Sequence, residues 1–325
     1  MLKKACFARK KLLTGKGLSM IDLTGTTLVP KEKTAAALGL FDGLHIGHRE
    51  VVKRALAFSD SGISPAVFTF ETHTVTSKGD GGVDAILSRE LKFEFLEKLG
   101  ARYVYSPDFS EVKNLSPKEF VQKVLREKLN AAAAICGSDF RFGFGGTAGA
   151  HELKKLCEPF GIEAIEVPPV KLGGEIVSST RIRAYIRDGE IEKANKLLGY
   201  EFQLLLPVVH GNELGRTINF PTINQRFSEK QVIPRFGVYL SRTEIEGKTW
   251  DSITNIGIKP TVGGEVFPLA ETHIIGFSGD LYGKTARVSL RAFIRPEMKF
   301  SGLESLSAQI ASDINKANEL MRKGK

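Results

Sequence analysis

Residues 35–50 read AAALGLFDGLHIGHRE. Ala35 to Leu40 is a small, apolar run of the kind that forms a strand covered on both faces. Phe41-Asp42-Gly43 ends it with a turn, and the spacing of Val51, Val52, Ala55 and Leu56 predicts a helix that starts near His45. His45 and His48 stand three residues apart at that helix start and so share a face. The first-turn N–H groups lack intrahelical partners and point into the same space with the positive end of the helix dipole. A polyphosphate placed there would meet amide donors and two imidazoles. Gly39, Gly43 and Gly47 would let the backbone approach it closely. The spacing also invites a zinc reading, but the metalloprotease pattern has its histidines four apart around a glutamate. Phosphate chemistry is therefore the stronger reading. A strand–glycine–helix junction is common, and a lone histidine is more often structural than catalytic, so the rest of the chain has to decide.

Outward from this stretch, residues 34 to about 185 alternate apolar runs with helical periodicity. Ala66–Phe70, Tyr103–Tyr105, Ala131–Cys136 and Ala164–Val167 read as further strands; Arg49–Ser59, Arg89–Leu99, Pro117–Leu129 and His151–Glu158 read as helices. Ser116, Pro117 and Glu119 form a helix-start signature. Such alternation predicts a doubly wound parallel sheet, whose ligands bind at the carboxyl ends of the strands. A helical stretch over Thr180–Leu198, broken at Gly189 and stopped at Gly199, closes this domain. Beyond it, Leu204–Val209, Phe236–Ile245, Thr249–Asn255, Glu271–Phe277 and Ala286–Ile294 read as strands, with Glu246-Gly247 as a hairpin turn. Closely spaced strands without helices predict a small antiparallel barrel. Leu303, Leu306, Ile310, Ile314, Ala317 and Leu320 give a terminal amphipathic helix, one face of which packs on the barrel. The expected division is a basic leader and lead-in segment over 1–33, an α/β domain over 34–199 and a β domain over 200–325.

At 325 residues, two domains are expected. No apolar run approaches the length of a membrane span. Cys6, Cys136 and Cys157 are too few and too unpatterned for a disulfide framework or a zinc cluster, and they fit a reducing cytoplasm. Cys136 lies in an apolar run and reads as core. The net charge is +9, but Lys3, Lys4, Arg9, Lys10, Lys11 and Lys16 precede any acid, leaving +3 for the rest. The body is only mildly basic, so nucleic-acid binding is not needed to explain the charge. The first 20 residues share basic, acid-free character with organellar transit peptides; a tail, or a start at Met20, is the preferred reading.

Three further stretches carry chemistry. In Ile176-Val177-Ser178-Ser179-Thr180-Arg181-Ile182-Arg183, hydroxyls stand at a helix start and Arg183 lies three residues beyond Thr180. A cap alone would explain the hydroxyls; hydroxyls, free amides and a guanidinium together make an oxyanion clamp. Gly137-Ser138-Asp139-Phe140-Arg141-Phe142-Gly143 follows a strand. Phe140 and Phe142 could stack on a planar ring and Asp139 could accept from it, while at least one phenylalanine is expected to plug the core. In the second domain, Leu214-Gly215-Arg216-Thr217-Ile218-Asn219-Phe220-Pro221-Thr222-Ile223-Asn224 reads as too polar and too proline-bound for a central strand. Gly215 and Arg216 suit phosphate. Thr222 and Asn224, two apart, offer hard oxygens to one side, which suits Mg2+; alone, the segment would read as an ordinary turn.

FDGxHxGH, GxDFxFG and SSTRIR, in this order, resemble the nucleotidyltransferase module of bacterial bifunctional riboflavin kinase/FAD synthetases. The stretch from Gly215 to Asn224 resembles the riboflavin kinase signature GRxxGFPTxN. Gly237-Val238-Tyr239, Asn255-Ile256-Gly257 with Lys259-Pro260-Thr261, Glu271-Thr272-His273-Ile274 and Gly279-Asp280-Leu281-Tyr282-Gly283 fit it as well. The resemblance spans roughly 34–320 and implies two ATP-dependent reactions. Riboflavin is phosphorylated to FMN in the barrel, and FMN is then adenylylated to FAD on the sheet, with pyrophosphate released and Mg2+ arriving with ATP. It implies that His45, His48, Gly39, Phe41, Asp42, Gly43, Gly47, Ser179, Thr180 and Arg183 serve the adenylyltransferase ATP, and that Asp139, Phe140, Phe142 and His73 lie by the flavin. In the barrel, Gly215, Arg216 and Pro221 would meet phosphate, Thr222 and Asn224 the metal, and Glu271 would be the general base. Two departures stand out. Phe70-Glu71-Thr72-His73-Thr74 keeps the histidine of a Pro-His-Pro-like turn without its prolines. Asn219 replaces a glycine, which leaves a monofunctional FMN adenylyltransferase with a non-catalytic barrel as the alternative. A non-catalytic flavin- or nucleic-acid-binding regulator is the further alternative, and it does not account for two sets of catalytic-type residues.

Overall fold

The computed structural model describes residues 19–70, 84–211, 220–228, 230–260 and 266–323. The alanine-rich strand β2 (Thr34–Leu38) is buried along its whole length, and small side chains let helices pack closely on both of its faces. Around it the parallel sheet runs in the order β1-β4-β3-β2-β5-β6, with β1 (Ile21–Asp22), β3 (Ser64–Phe68), β4 (Tyr103–Tyr105), β5 (Ala131–Gly137) and β6 (Glu163–Val167). The chain builds outward from β2 through β3 and β4, then returns to place β5 on its other side. The switch point of this sheet therefore lies between β2 and β5, the place where such sheets bind ligands. Edge strand β1 comes from the lead-in segment, and Leu23 beside it is 1% exposed in the core. Two residues carry no periodicity, which is why the sequence gives no sign of it.

Helices α1 (Ile46–Leu56) and α2 (Arg89–Leu99) cover one side of the sheet, and α3 (Phe109–Val112) follows β4. The helix expected over 117–129 starts as α4 (Pro117–Glu119) under a Ser116–Glu119 capping box and then widens into a π-helix (Phe120–Lys128). A bond from Leu129 N–H to the Val124 carbonyl marks the wider turn. After α5 (Ala150–Cys157) and β6 comes an exposed hairpin, β7 (Lys171–Leu172) and β8 (Glu175–Ile176), then α6 (Ser179–Asp188) and α7 (Ile191–Leu198), each ended by a left-handed glycine, Gly189 and Gly199.

Six antiparallel strands close the barrel in the order β10-β13-β12-β11-β14-β9: β9 (Phe202–Val209), β10 (Thr222–Arg226), β11 (Gly237–Ile245), β12 (Lys248–Pro260), β13 (Val266–Ile274) and β14 (Thr285–Arg295). Strand β10 takes Thr222–Asn224, read as part of a segment too polar for a central strand, into the barrel wall between β13 and β9; residues 212–219 of that segment lie outside the described residues. Pro221 stops just outside β10, and the polar Gln225 points inward, where its amide donates to the Leu206 and Ala286 carbonyls at 2.7 and 2.9 Å. The barrel interior also holds a buried chain of hydroxyls, Thr243–Ser252–Ser241–Thr254–Thr272, with links of 2.8–2.9 Å. On the outside, Val238, Leu240, Ile253, Ala292 and Ile294 receive Ala317, Ile314, Leu320 and Met321 of α8 (Leu303–Lys323). Leu303, expected on the packed face, is 50% exposed, because α8 meets the barrel only from its second turn on.

The two halves share a core. Ile182, Ile186, Ile191, Ala194 and Leu198 of α6 and α7 pack with Phe202, Leu204, Val288 and Leu290 of the barrel. Residues 84–87 bridge them: Ala85 exchanges backbone bonds with Lys230 and Val232 of the barrel at 2.8 and 2.9 Å.

Candidate active sites

At the carboxyl end of β2 the turn 40–45 is held from behind at every carbonyl. The Leu40 oxygen accepts from Thr69 Oγ1 (2.8 Å) and Lys92 Nζ (3.1 Å), Asp42 from Ser179 Oγ (2.9 Å), Gly43 from the Tyr200 hydroxyl (2.5 Å) and Leu44 from Arg49 Nε (3.1 Å). Phe41 and His45 bond within the turn and helix, to the N–H groups of Leu44 and Arg49. With each backbone acceptor occupied, the turn offers an anion no competing carbonyl. Phe41 and Leu44 are held at φ of 50° and 36°, strain of the kind that collects at functional sites.

The glycines of this turn make room for its own side chains. A Cβ on Gly39 would stand 3.0 Å from the Phe41 ring, and one on Gly47 3.2 Å from the His45 ring, while Gly43 needs its φ of +77°. His45 is the N-cap of α1: its Nδ1 accepts from His48 N–H at 3.2 Å, so in the neutral ring the proton sits on Nε2. The two imidazoles stack at 3.5 Å, and the Phe41 edge meets His48 at 5.5 Å. Burial, reinforced by the cations Arg49 and Arg183, drops the His45 pKa to about 4. His48 is pushed well below its ordinary value by burial, then by His45, Lys92 and Arg183. Its Nδ1 is covered and has no partner among the described residues. At neutral pH both rings are uncharged donors, not cations.

Three residues expected to contact phosphate, Asp42, Arg183 and Ser179, have partners within the fold. Asp42 is fully buried and accepts from the Ile86 N–H at 2.9 Å and the Leu87 N–H at 3.4 Å. It pairs with the buried Arg183 Nη2, while Arg183 Nε donates to the Asp84 carbonyl at 2.8 Å. A carboxylate taken out of water requires such a counter-charge, so the pair locks the turn, residues 84–87 and α6 together. Ser178, not Ser179 or Thr180, caps α6. Ser179 is bound to the Asp42 carbonyl, and Thr180 stays exposed at the helix start. Lys92 and the 84–87 bridge had no signal in the sequence beyond ordinary helix and loop pattern.

In the loop after β5, Asp139 is exposed and Phe140 half-buried, stacked at 5.7 Å on Phe142. Phe142 is 5% exposed and packs on Phe120 in the core, so it is the phenylalanine that plugs the core, while Phe140 stays half-buried against it. Cys136 and Cys157 are buried, and burial pushes their thiols up to about 12. His73, Gly215, Arg216 and Asn219 lie outside the described residues.

On the barrel's outer wall, register puts Asn224 of β10 and Asn255 of β12 on either side of Glu271, in the middle of β13. Thr222 and His273 pair one step along, on the same face. His273 Nδ1 lies 2.9 Å from the carbonyl oxygen of the exposed Pro221. Asn224 is 4% exposed, and its Oδ1 has no partner among the described residues. Next to this row a cavity of about 200 Å3 opens between the barrel wall and α8, lined by Glu271, Thr222 and Asn255 together with Val238, Ile253, Met298, Phe300, Leu306 and Ile310. Arg295 and Asp313 also line it and form a bidentate pair at 2.9 and 2.7 Å. Among the described residues no three His, Cys, Asp or Glu side chains cluster as a metal site.

A doubly wound sheet with a buried histidine pair at its switch point, joined to a closed barrel with a carboxylate beside a partly apolar cavity, has the architecture of a nucleotidyltransferase-type module coupled to a small-molecule kinase-type module. Comparison makes this particular. The FAD synthetase family model matches residues 29–181, and the riboflavin kinase family model matches residues 198–321. The bifunctional riboflavin kinase/FMN adenylyltransferase of Listeria monocytogenes is 36% identical over 281 residues, covering 85% of this chain and 89% of the relative. That of Escherichia coli K12 is 34% identical over 296 residues, covering 89% and 93%. The chain belongs to the bifunctional riboflavin kinase/FMN adenylyltransferase family. A solved structure called a macrolide-efflux protein, from Streptococcus pneumoniae, shares the fold with a TM-score of 0.78 at 30% identity, over 91% of this chain and 99% of that one. Among the described residues, no helix is long and apolar enough to cross a membrane.

Proposed function

We propose that this chain performs both reactions of its family in series, riboflavin phosphorylation by residues 200–325 and adenylyl transfer to FMN by residues 34–199. The observation that carries the two-reaction reading over a monofunctional one is the Asn224–Glu271–Asn255 row beside the cavity. A barrel kept only for packing has no use for a carboxylate there, or for a buried amide oxygen without a partner among the described residues.

In the barrel, the apolar part of the cavity takes the flavin rings and directs the ribityl chain toward Glu271. Glu271 accepts the proton of the 5′-hydroxyl as that oxygen attacks the γ-phosphorus of ATP and ADP departs. Thr222 Oγ1 and Asn224 Oδ1, the latter without a partner among the described residues, are hard oxygens that fit Mg2+, which when bound neutralises phosphate charge. In the sheet domain, an FMN phosphate oxygen attacks the α-phosphorus of ATP and pyrophosphate leaves. No covalent intermediate is needed, so positioning and charge stabilisation do the catalysis. His45 Nε2–H, His48 and the α1 amides face the triphosphate as neutral donors. Thr180 and the α6 amides meet it from the other side, with Arg183 acting from behind them. Asp139 and Phe140 lie by the rings.

The test is chromatography of flavins after incubation with ATP and Mg2+. Riboflavin is expected to yield FMN and FAD, with Glu271→Ala abolishing only the first step and His48→Ala only the second. FAD from FMN with riboflavin untouched would overturn the kinase assignment and direct attention to Asn219→Gly.

A further inference from the structure

In the barrel the flavin ring has apolar walls and the 5′-hydroxyl has Glu271, but nothing described so far meets the ribityl hydroxyls between them. A second carboxylate, that of Glu297, borders the same cavity. Its place follows from the end of β14. Arg295, the last residue of that strand, pairs with Val238 of β11, which pairs in turn with Asn255 of β12. Two glycines leave the chain room to turn back over these strands. A Cβ on Gly237 would meet the Arg295 carbonyl oxygen, and one on Gly257 would meet the Glu297 carboxylate. Glu297 therefore reaches across β11 and rests on β12. Arg295 Nη1 donates to the Pro296 carbonyl at 3.0 Å while its other nitrogens hold Asp313. The proline ring fixes one backbone dihedral as well, so the segment leading to Glu297 is pinned.

Gly257 is two residues beyond Asn255 and so on the same face of β12. Asn255 is the register partner of Glu271. Glu297 thus rests one strand repeat, about 7 Å, from the Asn255–Glu271 pair. A five-carbon chain with its terminal hydroxyl at Glu271 covers that interval. Each ribityl hydroxyl is a donor, and an ionised carboxylate is acceptor only, with two oxygens to offer. The other acidic groups on the cavity are engaged. Asp313 accepts from Arg295 and, at 2.9 Å, from Gln309, and Glu271 is taken up by the reacting proton. Glu297 has no hydrogen bond or ion pair among the described residues. We propose that Glu297 is a specificity-determining residue of the barrel site, accepting hydrogen bonds from the ribityl hydroxyls upstream of the 5′ position and so selecting a polyol-bearing flavin over one with a plain alkyl chain. The inference rests on riboflavin phosphorylation being the reaction of the barrel.

The experiment compares riboflavin with a flavin whose ribityl chain is replaced by a 5-hydroxypentyl chain. The analogue keeps the ring and the reacting hydroxyl and lacks the 2′, 3′ and 4′ hydroxyls. The full chain is assayed with ATP and Mg2+ as wild type, Glu297→Ala and Gly257→Ala. A wild type that quenches riboflavin fluorescence without phosphorylating it sinks the kinase reading alone, and Glu297 is then judged by the dissociation constants of the two flavins. A wild type that neither binds nor phosphorylates riboflavin sinks both. An active wild type is expected to favour riboflavin over the analogue by about 10- to 100-fold in kcat/KM, the worth of hydrogen bonds to a charged group. Glu297→Ala should bring that ratio to within about threefold of unity by raising the KM for riboflavin, with kcat and the analogue's kcat/KM little changed. In Gly257→Ala the new methyl is met first by the carboxyl atoms of Glu297, the movable end of a side chain. It should lower the ratio in the same way, and adding it to Glu297→Ala should cost nothing more. Should Gly257→Ala fail to fold, Glu297→Ala decides alone, since Glu297 is exposed. A wild type without preference, or a Glu297→Ala variant that keeps the wild-type ratio, overturns the proposal; equal losses for both flavins would assign Glu297 to the ring or to the wall. A Gly257→Ala variant that keeps the ratio overturns the seating of the carboxylate on Gly257.

Discussion

In the sheet domain, the groups that face the ligand space are fixed by others behind them. His45 is locked by the helix it caps, the 40–45 carbonyls by Thr69, Lys92, Ser179, Tyr200 and Arg49, and Asp42 by Arg183 and the 86–87 amides. In the barrel, the corresponding groups stand on the outside of a closed wall. Strand register aligns Asn224, Glu271 and Asn255, and the cavity beside them is completed by a separate helix docked through Arg295–Asp313. The first site is preorganised from inside a core and the second is assembled on a rigid surface. Changing a ligand-facing barrel residue should therefore cost chemistry without stability, and changing a residue of the sheet site should cost both.

The largest effect expected is on chemistry alone. Glu271→Gln should lower riboflavin phosphorylation by about 10^2 to 10^4, the usual range for a lost general base. Conversion of FMN to FAD and the melting temperature should both be unchanged. A melting temperature several degrees lower would mean that Glu271 is part of the barrel's structure and would blur the contrast. Next comes Asp42→Ala, which strands the buried Arg183 charge. It should cost roughly 3–5 kcal/mol of stability, read by urea unfolding, together with FAD formation. Pairing it as Asp42→Leu with Arg183→Met should restore much of the stability and none of the activity, because a matched apolar pair satisfies the core but no longer binds residues 84–87.

A smaller effect tests whether α8 is a separable wall. Asp313→Ala leaves Arg295, with a side chain 15% exposed, without its carboxylate. It should loosen α8 by about 2–3 kcal/mol, less than at Asp42 because Arg295 can turn toward water. The KM for riboflavin should rise about tenfold while kcat changes little, and FMN adenylylation should not move. A fall in kcat with unchanged KM would mean that α8 shapes the reacting end of the cavity and not its flavin-holding part.

What the sequence made legible follows the same division. The alternation of strands and helices, the two glycine-stopped helices and the barrel were readable because each repeats a period long enough to count, and the His45–His48 pair was readable because its spacing is local. Strand β1 is two residues long, β10 hides its polarity inside the barrel through Gln225, and the π-helix follows the same apolar spacing as an α-helix. The supports of the sheet site were the least legible. Asp42–Arg183, Tyr200–Gly43 and Lys92–Leu40 span separations of 141, 157 and 52 residues. An arginine expected to meet phosphate is, in the fold, the counter-ion of an aspartate expected to do the same. In the barrel, Thr222, Asn224 and Glu271 needed only correct strand pairing to stand on one face of the wall.

Acid should separate the two halves. His45 is neutral in the native state because burial drops its pKa to about 4, and it titrates near 6.5 once unfolded. Below pH 6.5 the unfolded chain binds the proton and the folded chain does not. The stabilisation from the neutral ring is therefore fully present above about 6.5 and is lost as pH falls through about 4. Between pH 7 and pH 5 this amounts to about 2 kcal/mol from His45, and His48, shifted in the same direction, adds to it. FAD formation should accordingly fail at a higher pH than FMN formation. Carboxylates contribute their own slope across the whole molecule, so the comparison needs a variant in which only the imidazole has gone. His45→Asn keeps an acceptor at the N-cap and has nothing to titrate. Urea unfolding of the full chain at pH 7 and pH 5 should show a smaller acid penalty in His45→Asn than in wild type. An equal penalty in the two would mean that the stacked histidines are already charged in the folded state, and that the sheet site meets its phosphate with cations.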